Sequence, residues 1–123
     1  MENNTVLETS GLSKYFYDPV KFQVLKEISM RVNHGEFVSI VGKSGCGKST
    51  LLYLLSTMDT DYDGEIFIHN ELVTGKTDKE LALIRNEKIG FVFQFHHLLP
   101  EFTAVENVCI PGWIAGIKKK DII

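Results

Sequence analysis

A glycine-rich segment near the middle of the chain has the residue types and spacing needed to hold phosphate groups. Gly42 is followed by four residues and then by Gly47-Lys48-Ser49, which matches the P-loop pattern. Glycines let the backbone curl around phosphates and expose its amide N–H groups, because no Cβ atom stands in the way. In this pattern Lys48 would reach the β- and γ-phosphates of a nucleotide and the Ser49 hydroxyl would bind Mg²⁺. The segment therefore predicts nucleotide binding.

The segments on either side of the loop are those that position a phosphate-binding loop. Residues 37–41 form a compact apolar run, typical of a strand buried on both faces of a sheet. Residues 48–56 contain four leucines and predict a helix, whose positive N-terminal end adds to phosphate binding. The order strand, glycine-rich loop, helix favours an α/β layered fold. This context distinguishes a P-loop from a chance glycine turn.

The rest of the chain predicts further strands and helices. Alternating hydrophobicity and β-prone composition predict strands at residues 6–12, 24–32 and 64–69. The first two of these would form an antiparallel hairpin. Residues 77–86 predict a helix with acidic residues early and Arg85 late. Residues 89–93 predict a second strand of the buried type. Thr103 with Glu106 forms a capping-box pattern that predicts the start of another helix.

The composition excludes several classes of protein. Hydrophobic residues make up 44% and charged residues 24% of the 123 residues, as in ordinary globular proteins rather than disordered or fibrous ones. No apolar run approaches the roughly 18 residues of a membrane-spanning helix, and no secretion signal opens the chain, so we expect a soluble, cytosolic protein. The net charge of −3 is too acidic for a dedicated nucleic-acid binder. Cys46 and Cys109, the two cysteines, make neither a disulfide framework nor a zinc site.

Several stretches together resemble one family of P-loop proteins. Residues 42–52, GKSGCGKSTLL, resemble the Walker A segment of ATP-binding-cassette (ABC) ATPases, a more specific pattern than the generic loop. The other stretches similar to this family are residues 24–29, 35–38, 63–66 and 89–94, the last ending in the glutamine of the Q-loop. Residues 85–90 and 95–108 are similar to the subfamily that contains lipoprotein-releasing LolD proteins and macrolide-exporting MacB proteins.

This resemblance implies an α/β fold, the N-terminal portion of an ABC-type P-loop NTPase domain. Residues 1–36 would form a mainly antiparallel β subdomain, residues 37–95 the P-loop core at the start of a RecA-like fold, and residues 96–123 the Q-loop and the start of a helical subdomain. No LSGGQ-type signature and no Walker B pattern follow in the sequence. We therefore expect the front half of such a domain, truncated before those motifs and inactive as an ATPase on its own.

The resemblance also implies which residues form the site. The residues expected to bind ATP around its phosphates are Gly42, Lys43, Ser44, Gly45, Cys46, Gly47, Lys48, Ser49 and Thr50. Lys48 and Gln94 would be catalytic, and Ser49 and Gln94 would bind Mg²⁺. An aromatic ring upstream would stack on the adenine. Counting from Lys14 gives Phe16, which we prefer, whereas counting back from Leu25 gives Tyr15; alternatively, one or both rings simply cover the hairpin.

The implied function is that of the ATP-binding subunit of an ABC transporter. It would couple ATP binding and hydrolysis to transport, with lipoprotein release from a membrane as the expected process. Its partners would be permease subunits, contacted through residues 94–100, and a second ATPase subunit, at the cytoplasmic face of the inner or plasma membrane. The neighbouring His96 and His97 would belong to this contact loop, because two adjacent histidines cannot complete a metal site. No nucleic acid is expected as a partner.

Three alternatives remain open. The same subfamily includes ATPases for macrolide or peptide export. A nucleotide-binding module that never hydrolyses is a second possibility. A P-loop kinase or GTPase is the third, and residues 91–108 argue against it. We also expect this chain to self-associate, because the strand at residues 37–41 would have an unpaired edge, and the segment after Pro111 to be the least ordered.

Overall fold

The chain divides into two compact units, Met1–Thr77 and Asp78–Ile123. In the computed structural model, residues 4–17, 19–95 and 97–122 are described. Within these residues the first unit contains four strands and one helix, and the second contains three helices.

The first unit is built on an antiparallel sheet whose strands lie in the order β2-β1-β3-β4. The strands are β1 Thr5–Phe16, β2 Phe22–Asn33, β3 Asp63–Ile68 and β4 Glu71–Leu72, and the helix is α1 Lys48–Leu55. The strands predicted at residues 6–12, 24–32 and 64–69 and the antiparallel pairing of the first two are confirmed. The predicted helix after the P-loop is confirmed as well.

Side-chain hydroxyl groups hold β1 and β2 together where their pairing is irregular. The register shifts within residues 9–14 of β1. In this region Ser29 Oγ accepts a hydrogen bond from the backbone N–H of Gly11 at 2.9 Å, and Ser13 Oγ accepts one from Glu27 at 2.9 Å. Because a buried or half-buried amide needs a partner, these hydroxyls stabilise the bulged part of the pair.

The core of the first unit lies between the sheet and α1. Leu12 of β1, Leu54 of α1 and Ile66 of β3 are fully buried. Burial of one such side chain contributes about 1.5–3 kcal/mol to folding. Both the strands and the helix therefore contribute fully buried apolar side chains to this unit.

The second unit is helical. Its elements are α2 Asp78–Lys88, α3 Ala104–Ile114 and α4 Lys119–Ile122. The helix predicted at residues 77–86 is confirmed with slightly later bounds. The predicted capping box is also confirmed: the backbone N–H of Glu106 donates to Thr103 Oγ1 at 3.1 Å, and that of Thr103 donates to Glu106 Oε1 at 2.9 Å.

One asparagine fastens the loop before α3 to that helix. The Asn107 side-chain carbonyl accepts from the backbone N–H of Leu99 at 2.9 Å. Its amide nitrogen lies 3.2 Å from the Leu99 carbonyl, 3.2 Å from that of Phe102 and 2.9 Å from that of Thr103. A single side chain thus satisfies several backbone groups of the loop.

The strands predicted at residues 37–41 and 89–93 are wrong. Neither segment has regular secondary structure, and Phe37 and Val92, expected to be buried, are 94% and 96% exposed. A parallel strand exists only through hydrogen bonds to neighbouring strands, and in the part of the chain that the structure describes no strand pairs with either segment. Apolar composition alone therefore did not determine their conformation.

Tyr62 joins the chain before β3 to the chain after β4. Its hydroxyl lies 2.8 Å from Thr74 Oγ1, which also accepts a hydrogen bond from the backbone N–H of Ile66 at 2.9 Å. Burial raises the pKa of Tyr62 above its usual value of 10.0, the negative charge of Asp59 raises it further, and the hydrogen bond to Thr74 opposes the shift. The neutral phenol is therefore the form that the folded chain stabilises.

We expect the chain to lose stability as the pH rises above about 10. The unfolded chain releases the Tyr62 proton first, so the stabilisation is complete below that pH and is lost as the pH passes the raised folded pKa. Urea unfolding measured between about pH 9 and pH 11 should show a smaller loss for Tyr62→Phe than for the unchanged chain. Tyr17→Phe, which alters an exposed ring, is the control. Identical pH dependence in the chain and in Tyr62→Phe would contradict this account.

Candidate functional site

The glycine-rich loop lies directly before α1, as the sequence predicts. Cys46 N–H donates to the Lys43 carbonyl at 3.2 Å and closes a turn inside the loop. Gly47 follows as the N-cap of α1 with a φ of 103°. The loop therefore ends on the free N–H groups of the first helical turn, which favour an anion.

The Lys48 ammonium is held inside the loop. It donates to the carbonyl oxygens of Gly42 at 2.6 Å and Lys43 at 2.8 Å, and lies 3.7 Å from Cys46 Sγ. An ammonium group has three donors and no acceptor. The lysine thus places a positive charge at the centre of the loop, where phosphate oxygens could replace the carbonyl groups as its partners.

Residues of the glycine-rich loop and of the β1–β2 hairpin together line a cavity of about 350 Å³. It is lined by Phe16, Phe22, Val24, Ser44, Gly45, Gly47, Lys48, Ser49 and Thr50. Seven predicted site residues therefore meet here, six from the loop and the start of α1 and one from β1. Gly42, Lys43, Cys46 and Tyr15 do not line the cavity.

Of the two candidate aromatic residues, only Phe16 faces this cavity. Tyr15 precedes it in β1, and adjacent strand residues point to opposite faces. The Tyr15 ring lies instead under the Lys21 ammonium, 4.5 Å from its centroid. The geometry favours Phe16 over Tyr15 as the base-stacking residue.

Phe22 is a cavity residue that the sequence analysis missed. It is the register partner of Phe16 across the hairpin, and the two ring centroids are 5.7 Å apart with an interplanar angle of 31°. Extending the antiparallel pairing to the end of β1 would have found it. The two rings form an aromatic wall of the cavity that the glycine-rich loop also lines.

The Q-loop residues belong to the second unit. Gln94 lies in a bend and is exposed, as are Phe95, Leu98 and Leu99, while the His97 ring packs 4.6 Å from that of Phe93. His96, part of the predicted contact loop, lies outside the described residues. The catalytic and metal-binding roles of Gln94 stay predictions.

The cavity offers a metal ion the hydroxyl oxygen of Ser49, which fits the way proteins hold Mg²⁺ beside phosphates. Residues 4–17, 19–95 and 97–122 contain no group of three or more His, Cys, Asp and Glu side chains able to hold a metal ion. Mg²⁺ commonly takes one or two protein oxygens and completes its shell with phosphates and water. The Ser49 hydroxyl, at the second residue of α1 and on the cavity wall, is a suitable oxygen.

Comparison with known proteins identifies the family. A family model described as ABC transporter matches residues 25–123. The chain belongs to this family. Among solved structures it is similar to the dimeric structure of MJ0796, a bacterial ABC transporter cassette, with a TM-score of 0.87 and 35% identity over 94% of this chain and 51% of that one. The expected ABC-type P-loop NTPase fold is thereby confirmed.

Curated relatives place the chain close to one branch of the family. It is 49% identical over 116 residues to the lipoprotein-releasing system ATP-binding protein LolD of Bacteroides thetaiotaomicron, covering 94% of this chain and 52% of the relative. It is 52% identical over 100 residues to LolD of Aquifex aeolicus, covering 81% of this chain and 45% of the relative. The chain thus spans about half the length of the curated relatives it matches.

None of the helices in the described ranges is both long and apolar enough to cross a bilayer.

We expect Gly47→Ala to destabilise the chain more than Gly45→Ala. Both residues have positive φ, 103° and 81°, so each substitution should cost about 1–2 kcal/mol in backbone strain. At Gly47 a Cβ would also lie 2.9 Å from Val24 Cγ1 and 3.1 Å from Leu25 Cδ2, whereas at Gly45 it would meet nothing within 4 Å. Such overpacking typically adds about 1–3 kcal/mol. Urea unfolding of the two variants gives the difference, and equal losses would show that the contact with β2 is unimportant.

Proposed function

We propose that this chain is the nucleotide-binding part of an ATPase subunit that drives an ABC transporter. The observation that carries the proposal is a single cavity lined both by Lys48 with the first turn of α1 and by the aromatic residues Phe16 and Phe22. A polar, positively charged wall suits a triphosphate, and an apolar aromatic wall suits a base. One cavity therefore offers both halves of a nucleotide a matching surface.

Each residue of the cavity has a distinct part in this proposal. The base stacks on Phe16, and the triphosphate lies along the backbone N–H groups of the loop. Lys48 exchanges its carbonyl partners for β- and γ-phosphate oxygens and neutralises the charge that develops during phosphoryl transfer to water. The Ser49 hydroxyl would hold Mg²⁺, which supplies further positive charge on the phosphates when bound. Gln94 does not line this cavity, and its roles toward Mg²⁺ and the attacking water are proposed from the family resemblance.

For the whole protein we propose ATP hydrolysis coupled to the release of lipoproteins from a membrane. Support for this cargo comes from relatives 49% and 52% identical, both named lipoprotein-releasing system ATP-binding protein LolD. A solved relative is named a dimeric cassette, which supports pairing with a second ATPase subunit. We place the protein at the cytoplasmic face of the membrane, where residues 94–100, with Phe95, Leu98 and Leu99 exposed, contact the permease.

We expect the purified chain to bind MgATP through Lys48 without hydrolysing it. Lys48→Ala should weaken binding about tenfold or more, because hydrogen bonds from a charged donor are worth about 1.5–3 kcal/mol. Lys26→Ala, on the exposed part of β2, should change nothing. Turnover should be absent because no carboxylate in the 123 residues follows a Walker B pattern.

Calorimetric titration with MgATP and a phosphate-release assay measure these two properties. Equal affinity in the chain and Lys48→Ala would remove the support for nucleotide binding. Lys48-dependent turnover near one per second, a rate typical of enzymes, would show that the residues needed for hydrolysis are all present.

We also expect the chain to self-associate at micromolar concentration. Phe37 lies in an exposed apolar segment, and the exposed side chain of Val92 lies in a second apolar segment; neither segment has regular structure. Exposed apolar surface favours association with another chain. Sedimentation velocity should show species larger than a monomer, and the double variant Phe37→Lys, Val92→Lys should reduce them. Val20→Lys, which changes an exposed residue outside both segments, is the control. A compact monomer in the unchanged chain would contradict the expectation.

A further inference from the structure

Lys14 is a buried lysine that lies behind the aromatic wall of the cavity. Its side chain is only 4% exposed, although lysine is almost never fully buried unless it is paired. The ammonium lies 5.1 Å from the centroid of the Phe16 ring. A cation at this distance over a ring face attracts the ring's π-electrons, more strongly when water is excluded.

Two aspartates in the segment after α1 hold the Lys14 ammonium in place. It donates to the Asp61 backbone carbonyl at 2.6 Å and pairs with the Asp59 carboxylate at 2.9 Å. The Asp61 carboxylate lies further away, at 3.6 Å. Asp59 also accepts from the backbone N–H of Asp61 at 3.0 Å, so the two acceptors are fixed relative to each other. The ammonium therefore has a defined position, and so does the ring face that it contacts.

Asp59 also lines a second cavity, and Phe16 lines both cavities. The second cavity, of about 260 Å³, is lined by Phe16, Thr50, Tyr53, Met58 and Asp59. Phe16 and Thr50 also line the larger cavity. The Phe16 ring is therefore set between two open spaces, with Lys14 and Phe22 as its fixed neighbours. An aromatic ring in that situation needs such neighbours to keep one orientation.

We propose that Lys14, held by Asp59 and Asp61, is a positioning residue that fixes the Phe16 ring for stacking against the base of the bound nucleotide. This inference rests on the proposed nucleotide binding. It assigns Lys14 to recognition of the base and not of the phosphates, because its ammonium is committed to the aspartates and the ring. Loss of Lys14 should therefore weaken a ligand that has a base and leave a ligand without one unaffected.

The test compares two ligands, MgATP and magnesium tripolyphosphate, by calorimetric titration of the purified chain. Lys14→Met keeps the length and apolar stem of the side chain but removes the charge. We expect it to weaken MgATP binding roughly twofold to thirtyfold, the range that corresponds to a cation–π contact, with unchanged affinity for tripolyphosphate. Because the second ligand reports on the loop in the same variant, an equal loss of both ligands would show that Lys14 supports the fold as a whole and not the position of the Phe16 ring.

A matched control exists in the same hairpin. The Lys21 ammonium lies over two rings, 4.5 Å from the Tyr15 centroid and 5.7 Å from that of Tyr17, neither of which lines the cavity. Lys21→Met removes a comparable contact between a cation and an aromatic ring. It should change the affinity for neither ligand.

A double-mutant cycle tests whether Lys14 acts through Phe16. Phe16→Ala should weaken MgATP about fivefold or more, since base stacking is worth about 1–3 kcal/mol. In that background Lys14→Met should have no further effect, because coupled residues are not additive. Three outcomes would overturn the inference about Lys14 but not the proposed function. These are additive effects of the two substitutions, unchanged MgATP binding in Lys14→Met, and an equal loss of both ligands in Lys14→Met. Failure of the unchanged chain to bind either ligand would overturn the proposed function.

Discussion

The approach of Gly47 to β2 is the contact on which the candidate site depends. A Cβ at this residue would lie 2.9 Å from Val24 Cγ1, so only glycine lets the end of the loop lie this close to the hairpin. The same residue has a φ of 103° and caps α1. One position thus joins the helix, the phosphate loop and the sheet. The loop and the hairpin that this position brings together both contribute residues to the cavity.

Two lysines of the first unit illustrate two ways of holding a positive charge. Lys48 is bound by neutral carbonyl oxygens, which charged phosphate oxygens can replace at a gain in electrostatic energy. Lys14 is bound by an aspartate carboxylate and is shielded from water, and breaking such a pair leaves a poorly solvated charge. The first arrangement is suited to exchange with a ligand, and the second to a fixed position in the structure.

The parts of the fold that local sequence determines were predicted well. The P-loop, α1 and the capping box of α3 each depend on residues within a few positions of one another, and each is confirmed. The strands expected at residues 37–41 and 89–93 were wrong because a strand needs partners, which an apolar run does not reveal.

For the candidate site, the sequence predicted the residues of the glycine-rich loop but only one of the two aromatic residues that line the cavity. Counting forward from Lys14 gave Phe16 and counting back from Leu25 gave Tyr15, and the pairing of β1 with β2 shifts in register between Lys14 and Tyr15. Predicting that Phe22 lines the cavity would have required the register of this pairing, in which Phe22 is the partner of Phe16.

The side chain of Asn107 has a mechanical consequence for the second unit. Its carbonyl and amide groups reach both ends of the segment from Leu99 to Thr103, while its backbone is part of α3. Several hydrogen bonds from one side chain link this segment to α3, so the segment can move away from the helix only if they break together. We therefore expect residues 99–103 and the first turns of α3 to move as one piece.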